Sequence, residues 1–417
     1  MSSTMKVSAA RIGLAAAMLG AIAIAASLSA CDNAYPIYGS IQLEKPGATV
    51  GPFYMTSVGK VVALGGKYFA QRANIATSAD GSSWNLVSIG SLGNGYYCTG
   101  LAATSTGLPA TSTLYAVVDT QGLYASKDGT TWTLVPGMAD PTTNQTASPM
   151  IDNVFVANNV VFVEYHNEGG TTGTTTAGST DDTYNLSASF DGTTFSPVTF
   201  SSGGAAISKM PFAGAAYADG SYWIIAKDGL YSSAAFSSAS PNAAFAQVTE
   251  PGAPPSGAPI DSIIATSTAS TLYLGTDAGA VYKRMTGGSW SNVGSLTYAV
   301  TALAEVPISP TATVIIAGFG ANSSTIASLS ISYGYIQLDP TSLGVTSGGS
   351  SAIVPNSTNY DTTLSGKPIN SFLYDATNKK LFATTASAGL SGASGLWTTS
   401  CDPTTFAWSS NGWSPTN

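Results

Sequence analysis

The stretch Ser126-Lys127-Asp128-Gly129-Thr130-Thr131-Trp132 constrains the fold most, because its pattern returns at intervals along the chain. Ser78-Ala79-Asp80-Gly81-Ser82-Ser83-Trp84 and Ser189-Phe190-Asp191-Gly192-Thr193-Thr194-Phe195 repeat it closely. Ser400-Cys401-Asp402-Pro403-Thr404-Thr405-Phe406 keeps it in worn form. Each copy lies between two short runs of β-forming residues. Asp and Ser side chains readily bond neighbouring backbone amides, so each copy predicts a hairpin turn with its aromatic packed beneath.

The unit around these turns is clearest in the second copy, where Thr99 to Ala103, Thr113 to Val118, Gly122 to Ser126 and Thr131 to Val135 read as four strands. Related units fall at 53–89, 97–136, 150–199, 212–249, 260–294, 299–339 and 368–413. A period of roughly 40 residues with four strands is the mark of an all-β propeller, whose blades bury their faces only by stacking radially. The sequence therefore predicts a seven-bladed β-propeller of four-stranded antiparallel blades over 53–413, with six or eight blades as alternatives. Charged residues are only 9% of the chain, and no convincing amphipathic helix follows Cys31.

The turn motif resembles the Asp-box, or BNR, repeat of sialidase-like and sortilin-like propellers. The fifth unit keeps Trp290 without the Asp, and the fourth and sixth lack the box. In that family the box is structural and lies away from the ligand site. The resemblance thus implies that Trp84, Trp132, Phe195, Trp290 and Phe406 pack between blades, and that function belongs on the opposite face.

The N-terminus carries Lys6 and Arg11, an apolar run from Ile12 to Leu28, and then Leu28-Ser29-Ala30-Cys31. This resembles a bacterial lipoprotein signal peptide over 1–30, with lipidation of Cys31 and a tether over 31–52. A plain secretory signal or an uncleaved membrane helix are the alternatives. Lipidation implies a bacterial cell-envelope protein, periplasmic or cell-surface, held to the membrane by acyl chains. A segment at 38–44 echoes 333–339 and offers an outer strand that would tie the N-terminus to the ring.

Two of the 14 Lys and Arg lie in this leader and none of the 22 Asp and Glu does, so the mature chain is more acidic than the −8 of the whole. Without a basic footprint, a nucleic-acid partner is excluded. Past the leader, Arg72 and Arg284 are the only arginines, which removes the three-arginine carboxylate grip of sialidases. A single histidine leaves no multi-histidine zinc site, and no haem or phosphate-loop motif occurs, so no cofactor and no metal are expected. Cys98 and Cys401 fall on opposite faces, too far apart for a disulfide.

A second repeat opens the innermost strands: Pro149-Met150-Ile151-Asp152-Asn153, Pro259-Ile260-Asp261-Ser262 and Pro368-Ile369-Asn370-Ser371. Alignment places Thr56, Thr99, Ala213 and Thr301 with Asp152, Asp261 and Asn370. These form an expected ring at the channel mouth, with Met55, Cys98, Ile151, Phe212, Ile260, Val300 and Ile369 buried one place before it. The ring either caps strand starts or binds a ligand or cation. Long segments at 165–184 and 340–367 are expected on the same face, bringing His166, Glu168, Asp181, Asp182, Tyr184, Tyr360 and Asp361.

Candidate ligand-binding residues are therefore Asp152, Asp261, Asn370, Thr99, Thr301, His166 and Tyr184, with no catalytic residue assigned. Tyr96, Tyr165, Tyr184 and Tyr360 are expected to be exposed contact residues. The functional expectation is a membrane-anchored, non-enzymatic scaffold that binds a protein or glycan through this face. One alternative is a polysaccharide hydrolase or lyase using paired acids among Asp152, Glu164, Glu168, Asp261 and Glu305. Another is a structural surface-layer or filament component.

Overall fold

A computed structural model describes residues 53 and 56–416, apart from 105–111, 140–149, 168–182, 202–210, 227–228, 256–258, 296–297, 321–333, 339–363, 365–366, 387–394 and 409–411. The leader, Cys31 and the 38–44 segment lie outside these residues. The structure is all β, with seven sheets in sequence order.

Blade 1 comprises β1 (Val61–Leu64), β2 (Lys67–Gln71), β3 (Ile75–Ser78) and β4 (Asn85–Leu86). Blade 2 comprises β5 (Cys98–Ala103), β6 (Leu114–Val118), β7 (Gly122–Ser126) and β8 (Thr133–Ala139). Blade 3 follows with β9 (Met150–Ala157), β10 (Val160–Asn167), β11 (Thr183–Ser189) and β12 (Ser196–Pro197). Blade 4 contains β14 (Phe212–Ala218), β15 (Ser221–Ala226), β16 (Gly229–Ser233) and β17 (Phe245–Gln247), with β13 (Phe200–Ser201) added parallel at its rim. Blade 5 is β18 (Ile260–Ala265), β19 (Thr271–Thr276), β20 (Ala280–Met285) and β21 (Trp290–Ser295). Blade 6 shows three strands among the described residues, β22 (Ala299–Ser309), β23 (Ala312–Gly320) and β24 (Gly334–Leu338). Blade 7 closes the ring with β25 (Ile369–Asp375), β26 (Lys380–Thr385), β27 (Leu396–Ser400) and β28 (Ser414–Pro415).

The first strands of successive blades touch in cyclic order, and β25 touches β1, so they line a central channel. Burial follows the same cycle. Seven apolar clusters each draw on two neighbouring blades, one cluster per seam. A blade is two-faced, so neither face is dry until a neighbour stacks on it. Among the described residues, blades 7 and 1 meet by face packing and by two backbone bonds, Gly395 N–H to the Phe53 carbonyl at 2.9 Å and Val58 N–H to the Thr385 carbonyl at 3.1 Å. Phe53, Tyr68, Trp84, Phe382 and Leu396 share one cluster, and Trp84 meets Phe53 edge-on at 5.1 Å.

The repeated turns are built as the sequence predicts. In blade 2 the Gly129 amide donates to Ser126 Oγ at 2.8 Å, while the Thr130 and Thr131 amides donate to Asp128 Oδ1 at 2.8 and 2.7 Å. Asp80, Asp191 and Asp402 accept the same pair of amides. Amides donated to a carboxylate favour its charged form, so Asp80 is held down at about 2 and Asp128 well below the usual range.

In two of these turns the glycine lies under an aromatic of the preceding blade, Gly81 under Phe382 and Gly129 under Phe69. Gly129 has φ +72°, and a Cβ there would fall 2.1 Å from Phe69 Cζ. Trp84, Trp132 and Trp290 are each buried in the seam with the preceding blade, and Phe195 packs against its seam cluster. Phe406 departs from this expectation. It is half-buried beneath Lys379, whose Nζ stands 5.1 Å over its ring.

Candidate functional site: the channel mouth

The predicted ring positions share one backbone feature. Between first and second strands the register skips a single residue in six blades, and the skipped residues are Thr99, Asp152, Ala213, Asp261, Thr301 and Asn370. Each is the extra residue of a β-bulge, which re-aims its side chain out of the regular pleat. The preceding residues Cys98, Ile151, Phe212, Ile260, Val300 and Ile369 are buried, as expected.

Blade 1 corrects the alignment. Gln71 accepts from the Gly59 amide and donates to the Lys60 carbonyl, both at 2.8 Å, so Gly59 is the odd residue. Val58, fully buried, holds the position assigned to Met55, and Gly59 replaces Thr56. The sequence of blade 1 has no Pro-Ile-Asp signal to fix this register, and the error was three residues.

Several mouth side chains reach to the next blade, bonding the residue just before its bulge. Asn370 Nδ2 donates to the Val58 carbonyl at 2.7 Å, Thr301 Oγ1 to Ile369 at 2.5 Å and Ser262 Oγ to Val300 at 2.7 Å. Gln71 Nε2 reaches the Thr99 carbonyl at 2.7 Å and that of Cys98 at 3.4 Å. Glu164 Oε1 accepts the Phe212 amide at 2.8 Å. Side chains at or beside the bulges thus bind five of the seven seams, which is the capping role for Thr301 and Asn370.

Blade 3 differs. Asp152 turns to its own blade, where Oδ2 stands 2.5 Å from His166 Nδ1. The His166 and Tyr184 rings lie 5.6 Å apart on the adjoining strands β10 and β11. These three predicted residues therefore form one patch, at the base of the connection that runs through 168–182. Glu164 lies behind it, 2% exposed. Burial pushes its carboxyl up to about 8, with Asp152 adding to the rise and the Phe212 amide and His166 opposing it. Asp261 sits at the blade 5 bulge, separate from this patch in sequence and blade.

Other expected site residues are placed elsewhere. Tyr96 is buried, receiving the Ile75 amide and donating to the Val87 carbonyl, both at 3.1 Å. Its neighbour Tyr97 is the exposed one, at 57%. Alternation across an irregular connection, not composition, decides between two adjacent tyrosines. Tyr165 and Tyr184 are half-buried. Glu305 lies toward the opposite, hairpin face, where it accepts the Ser267 amide at 2.6 Å and the Thr313 hydroxyl at 2.9 Å. Glu168, Asp181, Asp182, Tyr360 and Asp361 lie outside the described residues. Cys98 and Cys401 are both free and buried.

On the hairpin face a groove of about 780 Å³ lies at the far ends of β18, β22 and β25, with Leu303, Pro307, Phe372, Tyr374, Lys379 and Phe406 in its wall. Among the described residues, no group of three His, Cys, Asp or Glu is placed to hold a metal ion, and no helix is long and apolar enough to cross a membrane.

Compared with solved structures, the chain is similar to the extracellular domain of the proposed one component system BT4673 from B. thetaiotaomicron. The TM-score is 0.52 at 12% identity, over 83% of this chain and 38% of that one. It is also similar to the GH74 enzyme of Niastella koreensis, with a TM-score of 0.54 at 15% identity over 88% of this chain and 55% of that one. The chain thus spans less than two thirds of either protein. No protein-family model and no curated protein matches the sequence. The likeness, at this identity, is one of fold: the chain is a seven-bladed β-propeller.

Proposed function

We propose that this chain is a lipid-anchored, extracytoplasmic binding propeller of the Asp-box type, presenting its bulge face to a protein or glycan partner. The observation that carries the reading is the blade 3 patch. Asp152 is paired at 2.5 Å with His166 instead of bonding the next blade, and Tyr184 adds an aromatic face beside it. A hydrogen-bonded Asp–His pair beside a part-exposed ring on a rigid bulge suits recognition of a polar partner. The leader with Leu28-Ser29-Ala30-Cys31 supports the anchor and the cell-envelope location. The four Asp-containing turns support the Asp-box affinity.

The hydrolase alternative has one observation in its favour, since the Glu164 carboxyl is raised to about 8 by burial, with Asp152 adding to the rise. Its carboxyl is nevertheless 2% exposed and bonded to the backbone of the next blade, an arrangement that stabilises a seam rather than reaching a glycosidic bond. The test is a panel of glycans and envelope proteins assayed for both binding and turnover. Retention by the wild type that weakens about tenfold in His166→Ala, about 1.4 kcal/mol, supports the reading. Glycan cleavage by the wild type that is abolished in Asp152→Asn replaces it with the enzymatic one.

A further inference from the structure

Lys60 directly follows the blade 1 bulge, and its side chain passes the neighbouring blade. Its Nζ donates to the Val154 carbonyl at 3.0 Å, in the first strand of blade 3. Blade 2 has Gly100 at the corresponding position, packed so closely that a Cβ would fall 2.8 Å from the Val154 amide nitrogen. The ammonium therefore lies across the inner edge of blade 2, inside the channel mouth. Lys60 is half-buried, and loss of bulk water around its ammonium lowers its pKa to about 8.

Among the described residues, the bonding of this ammonium is incomplete. It has three donors, and Val154 takes one. Among the described residues no carboxylate pairs with it. Cys98 is the titratable group that acts on it, and burial pushes that thiol up to about 12, so it stays neutral. Gln71 and Thr99 add no charge. A desolvated cation without a counter-charge is costly, which is why such groups are usually paired.

Two further groups on this face share the deficit. Thr99 Oγ1 is buried with no hydrogen-bond partner, although Thr301 at the equivalent bulge uses its hydroxyl at 2.5 Å. Arg72, at the same end of blade 1, has a buried Nε without a partner, and burial lowers its pKa. Arg284 shows the contrast, being bound to Asp219 at 2.9 Å and Glu250 at 3.3 Å. In a chain with 22 acids and 14 bases, these two cations at one end of one blade have no acid partner among the described residues.

We propose that the channel mouth at blades 1 and 2 is a binding site for a small oxyanion, a carboxylate, sulfate or phosphate group, held by Lys60 with the Thr99 hydroxyl as a second donor. Arg72 adds positive potential from the blade end. The site is separate from the blade 3 patch and stands whether or not that patch binds a partner.

Acetate, sulfate and phosphate are titrated into the whole protein by calorimetry, with sodium chloride holding ionic strength constant. Saturable binding of at least one anion is expected. Preference for acetate marks a carboxylate-bearing ligand, and preference for sulfate or phosphate a tetrahedral one. Lys60→Met should raise Kd about tenfold or more, and the isosteric Thr99→Val a few-fold. Acetate or sulfate binding should weaken as pH rises from about 7 to about 9, because the ammonium loses its proton in that range. Should Lys60→Met fail to fold, the wild-type pH profile and Thr99→Val decide. The proposal is overturned if no anion saturates the wild type up to about 50 mM, or if binding ignores both substitutions and pH.

Discussion

The Asn370 carboxamide donates to the Val58 carbonyl at 2.7 Å, joining the last blade to the first across 312 residues of sequence. Asn370→Ala should therefore destabilise the propeller by about 1–2 kcal/mol, since it leaves a part-buried carbonyl without its donor. Urea unfolding would show a lower midpoint with an unchanged slope. A midpoint equal to that of the wild type would mean that the apolar seam closes the ring unaided.

Gly129 should tolerate no side chain. Its φ of +72° disfavours one, and Phe69 of the preceding blade occupies the space. Gly129→Ala is expected to cost about 2–4 kcal/mol, from backbone strain together with overpacking. Gly90 is the control, with φ +49° and nothing within 4 Å, so Gly90→Ala should cost only about 1 kcal/mol. Thermal unfolding of the two variants separates the terms.

Glu164 should give the fold an acid-side preference. Its carboxyl is raised to about 8 in the folded chain, from an ordinary value near 4.5, so the native state binds more protons than the unfolded state between these limits. This contribution is fully present below about 4.5 and is lost as pH rises toward 8. The total fall is on the order of a few kcal/mol, at about 1.4 kcal/mol per pH unit separating the two pKa values. Glu164→Gln keeps an acceptor for the Phe212 amide and should flatten the slope over this window. An unchanged slope in that variant would assign the pH dependence to another group.

Neither thiol of the propeller should react in the native state. Cys98 is 2% exposed and Cys401 6%, and burial raises both thiol pKa values. Alkylation followed by peptide mapping should leave both unmodified under native conditions and label both in denaturant. Rapid native labelling of Cys401 would show that the blade 7 hairpin opens locally.

The propeller, its seven blades and the four Asp-containing turns were legible in the chain because they rest on local chemistry. Short β-forming runs, Asp and Ser bonding amides two or three residues on, and an aromatic at fixed spacing leave their record within seven residues. Three of the bulges left such a mark, in the openings Pro149-Met150-Ile151-Asp152, Pro259-Ile260-Asp261 and Pro368-Ile369-Asn370.

What each bulge side chain does was decided only by the ring. Thr99 and Thr301 occupy equivalent positions, yet Thr301 bonds the next blade while Thr99 Oγ1 is left buried and unpartnered. Lys60 reads in sequence as an ordinary strand-edge lysine, and its reach to Val154 depends on Gly100 in the intervening blade. Tyr96 and Tyr97 are indistinguishable by type and differ only in which one the chain turns inward. A sequence fixes residue type and local period. Partners in different blades are set by how the blades stack, because burial and pairing at a seam belong to two blades at once.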